Sequence, residues 1–127
     1  MIERLSPPGI PAPRGPYSPA VRAGDFIFLA GQVPVDPATN ALSTGDIRHE
    51  TRLVLNNIKL ILEGVGSSLA DVVKVGVFLA SGDDFAAMNE VYSEFFGDTK
   101  PVRTTVVCGF MAPIRVEIDC TAYSPKP

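Results

Sequence analysis

The sequence predicts one α+β domain, residues 1–127, in which two helices pack on one face of a mixed β-sheet. Two segments carry apolar residues at spacings of three and four, as amphipathic helices do. Four other segments are continuously apolar or alternate apolar with polar residues, as strands do. The length of 127 residues is near the commonest size of one domain, so we expect one hydrophobic core.

The first part of the chain is rich in proline, which lacks a backbone N–H and disfavours helix. We therefore expect residues 6–20 to be extended and free of helix. A turn at residues 23–25 leads into the first apolar strand, residues 26–33. Residues 36–40 form a turn cluster of Asp, Pro, Ala, Thr and Asn. A further strand or hairpin is expected before the first helix.

The first helix is expected to begin at about Asp46 and to end at Gly64 and Gly66, because glycine is common at helix C-termini. Its apolar stripe is Ile47, Thr51, Val54, Leu55, Ile58, Leu62 and Val65. The next apolar run, residues 72–80, alternates large apolar side chains with Lys74 and other residues. This pattern is typical of a strand that is covered on at least one face.

The second helix is expected to begin at Asp83 or Asp84, whose carboxylates suit an N-cap, and to end near Gly97. Its apolar stripe is Phe85, Met88, Tyr92, Phe95 and Phe96. Two further strands are predicted after it, at residues 102–110 and 114–123. In the last of these, apolar residues alternate with polar ones.

The two helices leave one face of the predicted sheet without a cover. Each helix has a single apolar stripe, so both must pack on the sheet, and no remaining segment is long and apolar enough to cover its other face. A second copy of the chain is the simplest source of that cover. The sequence therefore predicts a homo-oligomer.

The charge pattern argues against nucleic acid as a partner. The formal net charge is −3, and the 11 basic residues are scattered without a run of three. Binding of DNA or RNA requires clustered Lys and Arg that neutralise phosphates. No segment has the length and apolarity of a membrane span, and the N-terminus lacks the apolar region of a signal peptide.

The cysteine and histidine content predicts neither disulfides nor a metal site. Cys108 and Cys120 are too few for a disulfide framework, and we interpret both as reduced, packed thiols of a cytoplasmic protein. His49 is the only histidine, and no carboxylate or thiol cluster surrounds it at ligand spacing. We interpret His49 as a polar helix residue.

Two charged residues in strand-like segments are candidates for chemistry. Arg103 begins a strand, and its planar guanidinium suits a carboxylate held by two parallel hydrogen bonds. A surface position or a structural ion pair explains Arg103 equally well. Glu117 lies in an apolar strand, where a solvated position on the sheet is the simpler interpretation. If Glu117 instead faces an enclosed subunit interface, desolvation raises its pKa and it can activate a water as a general base.

A third candidate is the segment of residues 15–20 together with residues 30–32 at the end of the first apolar strand. Gly31 allows the backbone to approach a ligand closely. Tyr17 offers a ring that packs on a substrate and a hydroxyl that hydrogen-bonds to it. An ordered turn followed by a strand kink accounts for the same residues.

Taken together, these segments resemble the RidA/YjgF family, also called the endoribonuclease L-PSP or reactive intermediate deaminase family. The similar segments follow one another in the family's order and spacing over nearly the whole chain. They are Gly15-Pro16-Tyr17-Ser18-Pro19-Ala20, Gly31-Gln32-Val33-Pro34, Asn57-Ile58, Asp71-Val72-Val73-Lys74-Val75, Met88-Asn89-Glu90-Val91-Tyr92, Phe95-Phe96, Pro101-Val102-Arg103-Thr104-Thr105 and Val116-Glu117-Ile118-Asp119.

The resemblance implies a chorismate-mutase-like α+β fold, assembled as a homotrimer with clefts at the subunit interfaces. It implies hydrolysis of 2-imino acids, such as 2-iminopropanoate and 2-iminobutanoate, or of their enamine tautomers, to 2-oxo acids and ammonia, without metal or organic cofactor. By position, Arg103 matches the arginine that binds the substrate carboxylate, and Glu117 matches the glutamate associated with the attacking water. The pocket-lining positions are matched by Tyr17, Gly31, Asn89 and Thr105.

Two departures from the family pattern leave the substrate open. Ala30 stands where many members have serine, so one pocket hydroxyl is missing. Residues 108–113 replace the more usual Leu-Pro turn, and Phe110 and Met111 favour a larger or more apolar substrate. A trimeric protein that binds a small carboxylate without turnover is the alternative function. A ribonuclease or translation inhibitor is a weaker one, because the sequence pI is about 5.0 and no basic stripe is present.

Overall fold

The computed structural model describes all 127 residues and contains one six-stranded sheet and two α-helices. The strands are β1 (Ile2–Leu5), β2 (Ala20–Ala23), β3 (Phe26–Gln32), β4 (Val72–Leu79), β5 (Val102–Val107) and β6 (Val116–Tyr123). The helices are α1 (Ile47–Gly64) and α2 (Phe85–Phe96), and short 3₁₀ turns occupy Leu69–Asp71 and Gly82–Asp84. The predicted α+β class is confirmed, and residues 6–19 contain no helix.

The strand order across the sheet is β1-β2-β3-β6-β4-β5. Only β4 and β5 run parallel, because α2 carries the chain back between them. All other neighbouring strands are antiparallel. β6, the last strand in the chain, therefore lies inside the sheet between β3 and β4, and its residues are held from both sides.

One hydrophobic core lies between the helices and one face of the sheet. Alternate residues of the two central strands are buried in it, beginning with Val116 and Ile118 of β6 and Val75 and Val77 of β4. The stripe of α1 covers these side chains, as its spacing predicts. Its fully buried apolar members are Val54, Leu55, Ile58, Ile61 and Leu62.

Local signals fix the ends of α1. The Asp46 carboxylate accepts a hydrogen bond from the backbone N–H of His49 at 2.8 Å, which satisfies one of the unpaired donors of the first turn. At the other end Gly66 adopts a positive φ of +86°, which glycine tolerates without steric cost. The helix predicted from Asp46 to Gly64 is confirmed.

The expected strand before α1 takes the form of two short strands. β2 forms a hairpin with β3 around Gly24, which has a φ of +61°. β1 pairs with β2 at the edge of the sheet, and the sequence did not reveal it. β1 has only four residues, and of these Glu3 and Leu5 are half-buried, so its alternation is too short to recognise.

The opposite face of the sheet is open in the single chain. Phe26 and Phe28 of β3, Tyr123 of β6 and Val106 of β5 are all exposed there, and Val102 is 67% exposed. Several large apolar side chains exposed on one sheet face are typical of a protein–protein interface. This face is the one for which the sequence predicts a cover from other copies.

Neither helix is long and apolar enough to cross a membrane. No group of three or more His, Cys, Asp and Glu side chains is arranged to hold a metal ion.

Replacement of Ile118 with alanine tests the central position of β6. Ile118 is fully buried, so Ile118→Ala is expected to lower the free energy of unfolding by about 2–5 kcal/mol, through lost transfer energy and the resulting cavity. Urea unfolding at fixed protein concentration measures this change. Leu60→Ala on the solvent side of α1, where Leu60 is 41% exposed, is the matched control, with an expected change of about 0.5 kcal/mol. Equal losses in the two variants would contradict the assignment of Ile118 to the core.

Candidate functional site

A cleft of about 670 Å³ lies where the N-terminal segment meets the ends of β3 and β6. Arg14 and Tyr17 line it from the N-terminal segment, and Glu117 lines it from β6. Residues 30, 31 and 33 contribute from the end of β3, residue 42 from the loop before α1, and residues 109–112 and 114 from the loop between β5 and β6. Most of this lining is apolar, and Glu117 and Arg14 are its only charged groups.

Glu117 lies directly against the backbone of Gly31. A Cβ atom placed on Gly31 would come within 2.9 Å of Glu117 Cδ and closer still to Oε2, so a larger residue here would displace the carboxylate. The pairing of β3 with β6 shifts register between Leu29 and Gln32, which marks a bulge at this point. The bulge and the glycine together make the space that Glu117 occupies.

The environment of Glu117 disfavours its charged form. Desolvation by burial raises the pKa of Glu117 above its ordinary value of 4.5, and the negative charge of Asp119 raises it further. The two carboxylates are two residues apart on one strand and so share a face of the sheet. The protonated form of Glu117 is therefore favoured more than it would be in a solvated glutamate.

Tyr17 lines the same cleft from the N-terminal segment, where hydrogen bonds within residues 14–17 form a turn. Its backbone N–H donates to Gly15 O at 2.9 Å, and its hydroxyl accepts from the Arg14 N–H at 3.1 Å. The segment is tied to the 36–41 turn by Arg14 Nη2, which donates to Asn40 O at 2.8 Å. Tyr17 is half-exposed, so its ring faces the open space beside Gly31 and Glu117.

Arg103 lies elsewhere, on the helix side of the edge strand β5. Its guanidinium carbon is 4.7 Å from the centre of the Tyr92 ring and 5.7 Å from that of Phe85, so it stacks against α2 by cation–π contacts. No carboxylate of the chain forms a salt bridge with it. The structural ion pair that the sequence left open for Arg103 is therefore absent, and its positive charge is free for a ligand.

Thr105 and Asn89 flank Arg103. Thr105 is two residues further along β5 and so has the same facing as Arg103; its buried Oγ1 has no hydrogen-bond partner. Asn89 is four residues after Phe85 and three before Tyr92, which places it on the same side of α2. An unpartnered hydroxyl beside an unpaired guanidinium is a polar group available to a ligand.

Strand register shows that Arg103 and Glu117 belong to opposite faces of the sheet. Arg103 pairs with Val75 of β4, whose side chain is buried beneath the helices. Glu117 pairs with Phe78, three residues further along β4 and so on the other face. The six predicted site residues therefore form two groups in one chain. Tyr17, Gly31 and Glu117 lie at the cleft, and Arg103 and Thr105 of β5 lie beside α2, which carries Asn89.

A buried carboxylate that the sequence did not single out holds two of the cleft loops. Glu50 of α1 is 1% exposed, and its Oε1 accepts from the backbone N–H of Arg115 at 2.7 Å. Its Oε2 accepts from the N–H of Gly45 at 3.1 Å. The Arg115 side chain adds a hydrogen bond from Nε to Gly45 O at 3.1 Å and a salt bridge to Asp84 at 3.5 Å. Glu50 thus joins the loop before α1 to the loop that precedes β6.

The sequence held a signal for Glu50, since it lies three residues after Ile47 and four before Val54, within the apolar stripe of α1. A carboxylate at a stripe position indicates a buried polar contact. Arg14, Leu42 and Ile114, which also line the cleft, carry no comparable signal, because only the tertiary structure brings their loops together.

A sequence model of the family described as Endoribonuclease L-PSP matches residues 9–124. A RutC family protein of Pyrococcus horikoshii is 50% identical over 124 residues, covering 97% of this chain and 98% of the relative. A protein of Dermatophagoides farinae named 2-iminobutanoate/2-iminopropanoate deaminase is 41% identical over 116 residues, covering 91% of each chain.

Solved structures show the same fold. RidA from the Antarctic bacterium Psychrobacter sp. superimposes with a TM-score of 0.90 at 36% identity, covering 95% of this chain and 98% of that one. E. coli TdcF, solved with bound serine, superimposes with a TM-score of 0.89 at 33% identity and the same coverage. The chain belongs to the endoribonuclease L-PSP (RidA/YjgF) family, as its motifs predicted.

Removal of the Glu50 carboxylate is expected to loosen both loops. Glu50→Ala leaves the Arg115 N–H without its acceptor, at an expected cost of about 1–3 kcal/mol in the free energy of unfolding. Glu50→Gln keeps one carbonyl acceptor and is expected to cost less. Glu63→Ala, an exposed carboxylate on the same helix, is the control. Thermal unfolding ranks the three variants, and a Glu50→Ala protein as stable as Glu63→Ala would exclude the proposed anchor.

Proposed function

We propose that the protein hydrolyses 2-imino acids and their enamine tautomers to 2-oxo acids and ammonia. In this reaction water adds to the imine carbon, the C–N bond of the resulting carbinolamine breaks, and nitrogen leaves as ammonia. The imine carbon is already electrophilic once its nitrogen is protonated. The protein therefore has to orient the substrate, supply water and accept a proton, which positioning and one general base can provide.

The observation that carries this proposal is the placement of Arg103 and Glu117 on opposite faces of one sheet, each without a partner charge. One chain cannot bring both to a single small substrate. A homotrimer can bring both groups to one substrate if Arg103 of one copy approaches the Glu117 cleft of the next. Such heterologous contacts between copies can close into a ring. The exposed apolar face that includes Phe26, Phe28 and Val106 supplies the surface for such an assembly.

In this arrangement Arg103 binds the substrate carboxylate by two parallel hydrogen bonds. Its cation–π contacts with Tyr92 and Phe85 fix the guanidinium plane without using its N–H donors on a protein carboxylate. Thr105 and Asn89 provide further polar contacts beside it, and Thr105 Oγ1 is unpartnered in the single chain.

At the other end of the substrate, Glu117 holds the attacking water and takes its proton. The raised pKa of Glu117 makes it a stronger base than a solvated carboxylate, and ammonia can receive that proton as it leaves. The absence of a side chain at Gly31 leaves room for the carboxylate and for water. The half-exposed ring of Tyr17 packs along the substrate.

The comparisons support this proposal at the level of the family. One relative, 41% identical, is named as an imine deaminase, and the structurally similar TdcF was solved with serine, a molecule that carries a carboxylate next to an amino group. Binding of a small carboxylate without turnover is the second candidate, and Ala30 favours it because a pocket hydroxyl is missing there. Catalysis is the better candidate because the cleft contains Glu117, a carboxylate that forms no salt bridge and can act as a general base, whereas binding of a carboxylate needs no such group.

Mixing two inactive variants tests the shared site. Arg103→Ala and Glu117→Ala are each expected to reduce kcat/KM for 2-iminopropanoate by about 100-fold or more. A trimer containing both variants has sites that combine Arg103 of one copy with Glu117 of another. In an equal random mixture about one quarter of the sites are complete, so about one quarter of the wild-type activity is expected to return.

The activity is measured by generating the imine with an amino-acid oxidase and trapping the surviving imine with semicarbazide. Mixtures of each single variant with the Arg103→Ala/Glu117→Ala double variant are the controls and should remain inactive. If the two single variants lack activity alone and remain inactive when co-refolded into a confirmed trimer, a site shared between copies is excluded. Full activity in Arg103→Ala alone would exclude the proposed role of Arg103.

The pH dependence of kcat/KM tests Glu117 as the base. A base must be deprotonated, so activity is expected to fall as the pH drops through a Glu117 pKa above 4.5. Asp119→Asn removes one of the two causes of the raised pKa and should move this acid limb to lower pH. Asp25→Asn, on the β2–β3 turn, is the control and should leave the limb in place. The substrate's own titration is common to all three proteins, so the difference between them reports on Glu117.

A further inference from the structure

Apolar side chains form most of the lining of the cleft that holds Glu117. The large ones come from three separate segments: Val33 after β3, Leu42 before α1, and Phe110, Met111 and Ile114 before β6. In the single chain the open cleft measures about 670 Å³, and a neighbouring copy that supplies Arg103 would fill part of this space. We call these five side chains the apolar wall. The methyl side chain of 2-iminopropanoate is too small to contact all three segments at once.

We infer that the site prefers 2-imino acids with bulky apolar side chains, such as those derived from leucine and phenylalanine. This inference rests on the proposed function. Once Arg103 of a neighbouring copy binds the carboxylate and Glu117 places water at the imine carbon, only the substrate's side chain remains to be accommodated. Apart from Arg14 and Tyr17, the remaining lining of the cleft is the apolar wall.

The loop that carries Phe110 and Met111 is held at both ends, and its exposed middle can adapt to different ligands. One end is held by the Cys108 N–H, which donates to Leu79 O at 2.9 Å, and the other by the bond from the Arg115 N–H to Glu50. Ile114 is buried at the second of these ends, and the Met111 side chain is fully exposed at the mouth of the cleft. Methionine is unbranched and polarisable, so it can pack on apolar groups of different shape.

The charges of the cleft act in opposite directions on a substrate with a second carboxylate. Glu117 repels it, whereas Arg14, the only cation in the lining, forms no salt bridge and keeps N–H donors besides the one bonded to Asn40 O at 2.8 Å. Ala30 presents a methyl group rather than a hydroxyl and so adds to the apolar lining. A single extra methylene in an apolar pocket changes kcat/KM by about 10–200-fold, which is enough for the wall to determine substrate choice.

The test compares imines that differ only in their side chain. d-Amino-acid oxidase with catalase generates the imines of alanine, leucine and phenylalanine, d-aspartate oxidase generates that of glutamate, and semicarbazide traps what survives. The wild type is expected to show a kcat/KM at least about tenfold higher for the leucine or phenylalanine imine than for the alanine imine. The glutamate imine, whose side chain ends in a carboxylate, is expected to have a lower kcat/KM than the leucine imine because the wall is apolar.

Variants of the wall connect this preference to the structure. Phe110→Ala and Met111→Ala are each expected to lower the ratio of kcat/KM for the leucine imine to that for the alanine imine, with the larger loss in the double variant. Leu60→Ala, an apolar truncation outside the cleft, is the matched control and should keep the wild-type ratio. Far-UV circular dichroism and a thermal melt establish that each variant is folded.

The outcomes separate the preference from the reaction. A wild type that hydrolyses the alanine imine as well as the leucine imine, or prefers the glutamate imine, overturns the inference and leaves the proposed function standing. A preference that survives the double variant also overturns it, because the wall would not be its cause. No hydrolysis of any imine overturns the proposed function and the inference together.

Discussion

The alternation of side chains along β6 sets both the packing of the sheet against the helices and the position of Glu117. Val116 and Ile118 on one face pack the sheet against the helices, so Glu117 and Asp119, which alternate with them, lie on the other face. A shift of one residue would bury two carboxylates and expose the core. The same periodicity that stabilises the fold therefore determines where the candidate base lies.

The position of β6 inside the sheet makes this placement rigid. Its neighbours β3 and β4 hold it from both sides, and the bulge of β3 brings Gly31 against the Glu117 carboxylate. The resulting desolvation raises the pKa of Glu117, which disfavours its charged form. We interpret this unfavourable environment as a functional feature, since the buried core of the opposite face supplies the stability that offsets it.

The edge strand β5 carries its charged candidate residue on the helix side of the sheet, whereas β6 carries Glu117 on the other face. Arg103 lies on the helix side, stacked on Tyr92 and without a salt bridge, while Val102 and Val106 face outward and are exposed. A chain that displays an unpaired guanidinium on one face of its sheet, and an unpaired carboxylate and apolar side chains on the other, is incomplete by itself. This incompleteness links the proposed assembly and the proposed chemistry, because the surface that needs a cover belongs to the face that carries Glu117.

The sequence alone predicts the α+β class, both helices, four of the six strands and the family, because these follow from local periodicity and from motifs that are contiguous in the chain. The predicted Asp N-cap of α2 is wrong, because Asp84 makes no capping hydrogen bond and its carboxylate pairs with Arg115. The sequence also marked Arg103 and Glu117 as candidates from their residue types and their apolar neighbours. Their positions on opposite faces of the sheet depend on the register of β4 with β5 and β6, which no local pattern reveals. The wall formed by Leu42, Phe110 and Ile114, and the hydrogen bonds of Glu50 to the loops around it, likewise join residues far apart in the chain, so they could not be predicted from local periodicity.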